Sequence, residues 1–235
     1  MYKRQPHGGP GARDYPGFGW WPQAYASRGY AVFQPNFRGS TGYGEAFRAA
    51  GDGQWGRKMQ TDISDGVAEL AHEGVVDPKR ACIVGGSYGG YAALAGVTVQ
   101  HGLYRCAVSF AGISDIGKMY GDDTRESADS PDLTHALKLQ LGDRSGWRAV
   151  SPARLADKAD APILLIHGKD DTVVPISQSD AMEKALLAAG KPVERLTLPG
   201  GDHWLLGEDA RVAMLKSSVA FVEKYNPPDA RPPAH

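Results

Sequence analysis

Cysteine is scarce in this chain: Cys82 and Cys106 are the only two among 235 residues. That is too few for the disulfide framework that staples small secreted domains. Both lie in or beside apolar, strand-like runs and read as buried small hydrophobes, so a reduced, cytoplasmic protein is expected. Net charge is missing too. Lys and Arg number 26 against 27 Asp and Glu, with the signs interspersed, which excludes the one-signed field that nucleic acid or an anionic membrane surface attracts. No apolar run approaches the ~20 residues of a membrane span, and Met1-Tyr-Lys-Arg-Gln-Pro6 is no signal peptide. No internal repeat occurs, and no metal or other cofactor is expected. The one low-complexity piece, residues 226–235, is expected to be a disordered Pro-rich tail behind a single domain at 1–225.

Glycine, by contrast, is plentiful, and it clusters where function is legible. In Arg80-Ala-Cys-Ile-Val-Gly-Gly-Ser-Tyr-Gly-Gly-Tyr91, a short apolar run reads as a buried parallel strand. It enters Gly85-Gly86-Ser87-Tyr88-Gly89, a G-x-S-x-G match, and continues into a helix-like segment from Gly90 to about Gln100. Strand, tight turn and helix together make this a nucleophile elbow, with Ser87 in a strained turn that lifts its hydroxyl off the sheet. Glycines on either side let strand and helix approach. The helix start beside Ser87 aims its positive end at any anion formed there.

Tyr30–Gln34, Cys106–Phe110, Pro162–His167 and Val193–Leu198 read as further strands. Asp62–Glu73, Ser177–Ala189 and Leu205–Tyr225 read as helices, Ser177 being a candidate cap and Gly190 a stop. Residues 113–148 form a polar excursion on the sheet's upper edge. Alternating strands and helices imply an α/β fold, with a mostly parallel sheet covered by helices on both faces. The Gly-rich loop His7-Gly8-Gly9-Pro10-Gly11 follows only six residues, none of them strand-like. A loop of this kind normally leaves a buried strand, so the N-terminal strand is expected to be truncated. The exposed sheet edge would then invite self-association.

A serine hydroxyl needs a base, and the base needs an acid to orient it. Ser87 follows one strand, Asp170 and Asp171 follow the next but one, and His203 follows the last, in the order Ser, acid, His. Spacing leaves the two aspartates equal. His167, at a strand end, reads as structural. An oxyanion hole needs two N–H donors, one from Tyr88 and one from the His7–Pro10 loop.

The motifs His7–Pro10, Pro35–Gly44, Gly85–Gly90, His167–Pro175 and Gly200–His203 resemble the catalytic domain of the prolyl oligopeptidase family of serine peptidases, particularly its acylaminoacyl-peptidase and dipeptidyl-peptidase branches. The resemblance implies an α/β-hydrolase fold and cleavage of peptide or acyl-aminoacyl substrates. It assigns the acid to Asp170, oxyanion donors to Gly9 and Tyr88, and a pocket wall to Val173. Thr172 stands where the family often has arginine, and nothing in the chain matches the family's N-terminal β-propeller. A carboxylesterase, or a catalytically impaired hydrolase fragment, is the alternative expectation.

Overall fold

Alternation along the central strands sets the architecture. Ala81 and Ile83, Ala107, and Ile163 and Leu165 face one apolar cluster. Their neighbours Cys82 and Val84, Cys106 and Val108, and Leu164 and Ile166 face another. A sheet buried on both sides needs near-continuous apolar strands, as these segments supply. The computed structural model describes residues 2–126 and 130–229. Its strands are β1 (Tyr2–Arg4), β2 (Ala31–Phe33), β3 (Ala81–Gly86), β4 (Cys106–Phe110), β5 (Ile163–Gly168) and β6 (Val193–Leu198). They form one all-parallel sheet in the order β2-β1-β3-β4-β5-β6.

The helices are α1 (Trp20–Ala26), α2 (Glu45–Ala49), α3 (Lys58–His72), α4 (Tyr88–Thr98), α5 (Ile116–Glu126), α6 (Pro131–Leu141), α7 (Ser177–Ala188) and α8 (Glu208–Tyr225). Helices α3, α4 and α7 cover one face through Ile63, Leu94 and Met182. Helices α1 and α8 cover the other through Tyr25, Met214 and Phe221. Each such fully buried side chain contributes roughly 1.5–3 kcal/mol of transfer free energy. The expected α/β-hydrolase arrangement is therefore present. The polar excursion resolves into α5, α6 and a 3₁₀ turn at Arg144–Val150.

Four expectations are corrected. The residues before His7 do form a strand: β1 pairs with both β2 and β3, so it lies inside the sheet and the edges are β2 and β6. A three-residue strand is specified by ladders on both sides rather than by an apolar run of its own. The edge for self-association inferred from a missing strand is thus absent. Second, Cys82 and Cys106 are joined as a disulfide. They are direct partners in the β3–β4 register with Cα atoms 4.8 Å apart, within bonding range. The expectation of a reducing compartment rested on free thiols and loses that support. Third, Ser177 is the first residue of α7 and not its cap; Ile176 precedes the helix without a side-chain cap. Fourth, residues 226–229 are held. The Asn226 amide donates to Arg80 O, its carbonyl accepts from Tyr30, and Arg80 pairs with Asp229. The last part of the expected tail, residues 230–235, lies outside the described residues.

Helix α4 is buried at every position, and its small residues bring its backbone onto the sheet. A Cβ on Gly90 would stand 2.7 Å from Gly112 Cα and 2.8 Å from Phe110 O, both backbone atoms that cannot yield. Gly90→Ala should destabilise the protein by on the order of 1–3 kcal/mol in urea unfolding. Gly121→Ala, in α5 with nothing within 4 Å, should be neutral or slightly stabilising.

Candidate active site

The chain leaves β1 toward β2 on one side of the sheet and leaves β3 toward β4 on the other. Connections diverging from adjacent strands open a crevice at their carboxyl ends, where open α/β sheets bind ligands. The His7–Pro10 loop and the Ser87 turn flank this crevice. They touch: a Cβ on Gly8 would lie 3.4 Å from Ser87 Cβ. Ser87 has φ 58° and ψ −122°, a left-handed conformation that an L side chain adopts only at a cost of order 1–3 kcal/mol. Its N–H donates to Phe110 O at 2.9 Å, fastening the turn to the end of β4. The first N–H groups of α4 have no carbonyl a turn earlier to bond. Among the described residues the N–H groups of Tyr88 and Gly9 make no hydrogen bond. Gly9 sits at φ +114°.

The acid is displaced by one residue from the expected position. Asp171 Oδ2 accepts from His203 Nδ1 at 2.8 Å, whereas the Asp170 side chain points to solvent. Turn geometry selects between them. Lys169 N–H and Asp170 N–H donate to Leu198 O and Gly201 O, each at 3.0 Å, so this stretch of backbone is spent on joining the β5 and β6 loops. Asp171 comes next and turns inward. Its Oδ1 accepts from Val173 N–H and Val174 N–H, both at 2.9 Å, leaving Oδ2 to face the imidazole.

His167 completes the cluster behind this carboxylate. It is fully buried, its Nε2–H donates to Val174 O at 2.8 Å, and Nδ1 accepts from the Ser179 hydroxyl at 2.7 Å. Nε2 also lies 3.5 Å from Asp171 Oδ2. Burial pushes the Asp171 pKa up, but the hydrogen bonds from His167, His203 and Val174 outweigh it and hold the carboxyl well below the ordinary 3.8. The site thus keeps an ionised acceptor on His203 Nδ1–H, which leaves Nε2 as the free basic nitrogen.

Ser87, Tyr88 and His203 thus stand beyond strand ends as the sequence places them, while the Gly8–Gly9 loop follows β1, the strand the sequence did not reveal. Among the described residues, however, no hydrogen bond joins Ser87 to His203. Val173 is half exposed beside the acid. Sequence reasoning missed the direct approach of Gly8 to Ser87 and the support of His167 and Ser179. It also missed how His7 is held, its ring stacked on Phe37 at 4.4 Å and bonded to Ser40 at 2.7 Å. His167 in a buried strand was the one available signal, since a buried imidazole must be partnered. Among the described residues no group of three or more His, Cys, Asp or Glu side chains is placed to hold a metal.

A sequence profile of the prolyl oligopeptidase family matches residues 16–227. Dipeptidyl aminopeptidase BIII of Pseudoxanthomonas mexicana is 37% identical over 207 residues, 84% of this chain and 29% of that protein. The acylamino-acid-releasing enzyme of Rattus norvegicus is 26% identical, covering 94% of this chain and 31% of the relative. The chain therefore spans less than a third of the length of these relatives. Among solved structures, a Mycobacterium tuberculosis puromycin-hydrolyzing peptidase superposes with a TM-score of 0.87 at 32% identity, over 98% of this chain and 35% of that one. Pyrococcus horikoshii acylaminoacyl peptidase gives 0.85 at 29% identity, over 98% and 38%.

Two outcomes follow from the site geometry. Ser87→Gly should raise stability by about 1 kcal/mol in urea unfolding, because glycine tolerates the left-handed turn, whereas Ser87→Ala should not. Because its folded-state pKa is depressed, Asp171 contributes stability above the ordinary carboxylate range that is lost as pH falls through the lower folded value. Asp171→Asn should therefore lower Tm at pH 7, and the deficit should fade only below about pH 4, where unfolded carboxylates protonate.

Proposed function

Because the chain belongs to the prolyl oligopeptidase family, we propose that it is the catalytic portion of a serine-type peptidase. It cleaves short peptides or N-acylaminoacyl substrates through an acyl-enzyme. The observation that carries this reading is the His203–Asp171 bond at 2.8 Å, set beyond the carboxyl ends of β5 and β6 on the same edge of the sheet where Ser87, beyond β3, is held at positive φ. In this mechanism Ser87 Oγ attacks the scissile carbonyl carbon as His203 Nε2 takes its proton. Asp171 keeps the proton on Nδ1, so Nε2 is always the basic nitrogen, and it balances the imidazolium charge that develops. A Ser87–His203 hydrogen bond left open without substrate is common in such sites and closes in the complex.

The tetrahedral oxyanion forms against the Tyr88 N–H, at the positive end of α4, and the Gly9 N–H of the facing loop. Both donors are uncommitted, and the contact of Gly8 with Ser87 brings their loops together. Collapse expels the amine, which receives its proton from His203. Water, activated by the same imidazole, then attacks the acyl-enzyme carbonyl and releases Ser87. Val173, half exposed next to the acid, lines the pocket for the residue before the scissile bond.

The test compares aminoacyl and N-acylaminoacyl anilides with simple esters of the same acyl groups. Amide hydrolysis is expected, with Ser87→Ala leaving no more than ~10³–10⁴-fold acceleration over water. Asp171→Asn should lower kcat by about 10⁴ through the wrong imidazole tautomer, while Asp170→Asn has little effect. Turnover of esters but not amides would remove the peptidase reading. Equal losses at Asp170 and Asp171 would remove the triad as drawn.

A further inference from the structure

A second polar site lies at the carboxyl ends of β1 and β2. Two acceptors in a cleft of about 420 Å³ have no donor: Gln5 Oε1 and Asp14 Oδ2 are buried without a hydrogen-bond partner among the described residues. Gln5 is itself only 9% exposed. The rings of Tyr15, Phe18, Trp20 and Trp21 make the walls, with Tyr15 and Phe18 mostly exposed at the rim. Asp14 is held rigidly there. Its backbone N–H donates to Asn36 Oδ1 at 2.8 Å, its carbonyl accepts from Asn36 Nδ2 at 3.2 Å, and Gln34 Nε2 reaches Oδ1 at 3.3 Å.

Acceptors with no donor, one of them anionic, inside aromatic walls define a narrow ligand class. An anion is repelled by the carboxylate. A hydrated divalent cation wants more oxygen ligands than two and no rings. A primary ammonium has three N–H donors, one positive charge and affinity for aromatic faces. We propose that this cleft binds a primary ammonium group, donated to Asp14 Oδ2 and Gln5 Oε1, with the ligand's apolar body against the rings. Nearby cations do not already fill the role. The Arg13 guanidinium lies over the Tyr15 and Tyr43 rings and donates to Gly42 O. Arg211 lies over Trp20 and donates to the Leu205 and Leu206 carbonyls. Burial pushes the Asp14 carboxyl up to about 6, so at neutral pH it is ionised and lacks a hydrogen-bonded counter-charge. The cleft also adjoins the proposed nucleophile. Trp21 packs against Gly86, the residue before Ser87, where a Cβ would lie 3.3 Å from the indole.

Titration with n-butylammonium chloride at pH 7.5, followed by the indole N–H resonances of Trp20 and Trp21, tests the site without any turnover. Saturable shifts are expected for n-butylammonium and none for 1-butanol. Asp14→Asn should weaken binding by about tenfold or more, the value of a hydrogen bond to a charged group, with the circular dichroism unchanged. Gly-Phe-amide and Nα-acetyl-lysine amide separate an amino-terminal ammonium from a side-chain one, and saturation by either supports the site. Equal shifts with 1-butanol or with tetramethylammonium, which has no N–H, would overturn it. So would undiminished binding to Asp14→Asn. Because binding alone is read, the result is independent of whether Ser87 is a nucleophile.

Discussion

The carboxylate of Asp171 ties the turn after β5 to the imidazole after β6. One oxygen closes the turn at Val173 and Val174, and the other fixes the His203 ring. Each job depends on the other. If the turn opened, Oδ2 would swing off the imidazole, and if His203 were absent a buried charge would lose a principal partner. Removing one member of a buried charged pair is expensive because the remaining charge stays desolvated. His167 and Ser179 add a second layer that locks the turn from the β5 side, through Val174 O.

Backbone packing supplies the other constraint. A Cβ on Gly168 would collide with the Gly201 backbone, and one on Gly89 with the Pro6 carbonyl. These contacts join the β5 loop to the β6 loop and the start of α4 to the segment entering the His7–Pro10 loop. The crevice geometry is therefore set by main chain against main chain, which is stiffer than side-chain packing. Preorganised donors stabilise developing charge only when they need not move at the moment of reaction. A short strand such as β1 suffices here because β2 and β3 hold it on both sides, and the loop it feeds is clamped again at His7 by Phe37 and Ser40.

The same crevice end of the sheet carries two chemically opposite places. Around Ser87, free N–H groups and the start of α4 suit a developing negative charge. Around Asp14, unpaired oxygens within aromatic walls suit a positive one. Trp21 and Gly86 lie between them.

Local patterns determined much of this protein. The apolar run at Cys106–Phe110 became a strand at the expected bounds, because a strand buried on both faces requires such a run, and Val193–Leu198, with polar residues interspersed, became the edge strand β6 at its expected bounds. The G-x-S-x-G turn located Ser87, because only a glycine-flanked turn can join strand to helix so tightly. Other features belonged to tertiary structure alone. Asp171 was chosen over Asp170 by hydrogen bonds from the β5 loop to β6 and its loop, residues some thirty positions away, which spacing within a dipeptide cannot reveal. Strand β1 and the Cys82–Cys106 bond both arise from register between strands distant in sequence. Periodicity reports which face of an element is buried; it carries no record of which residue on a neighbouring element will stand opposite.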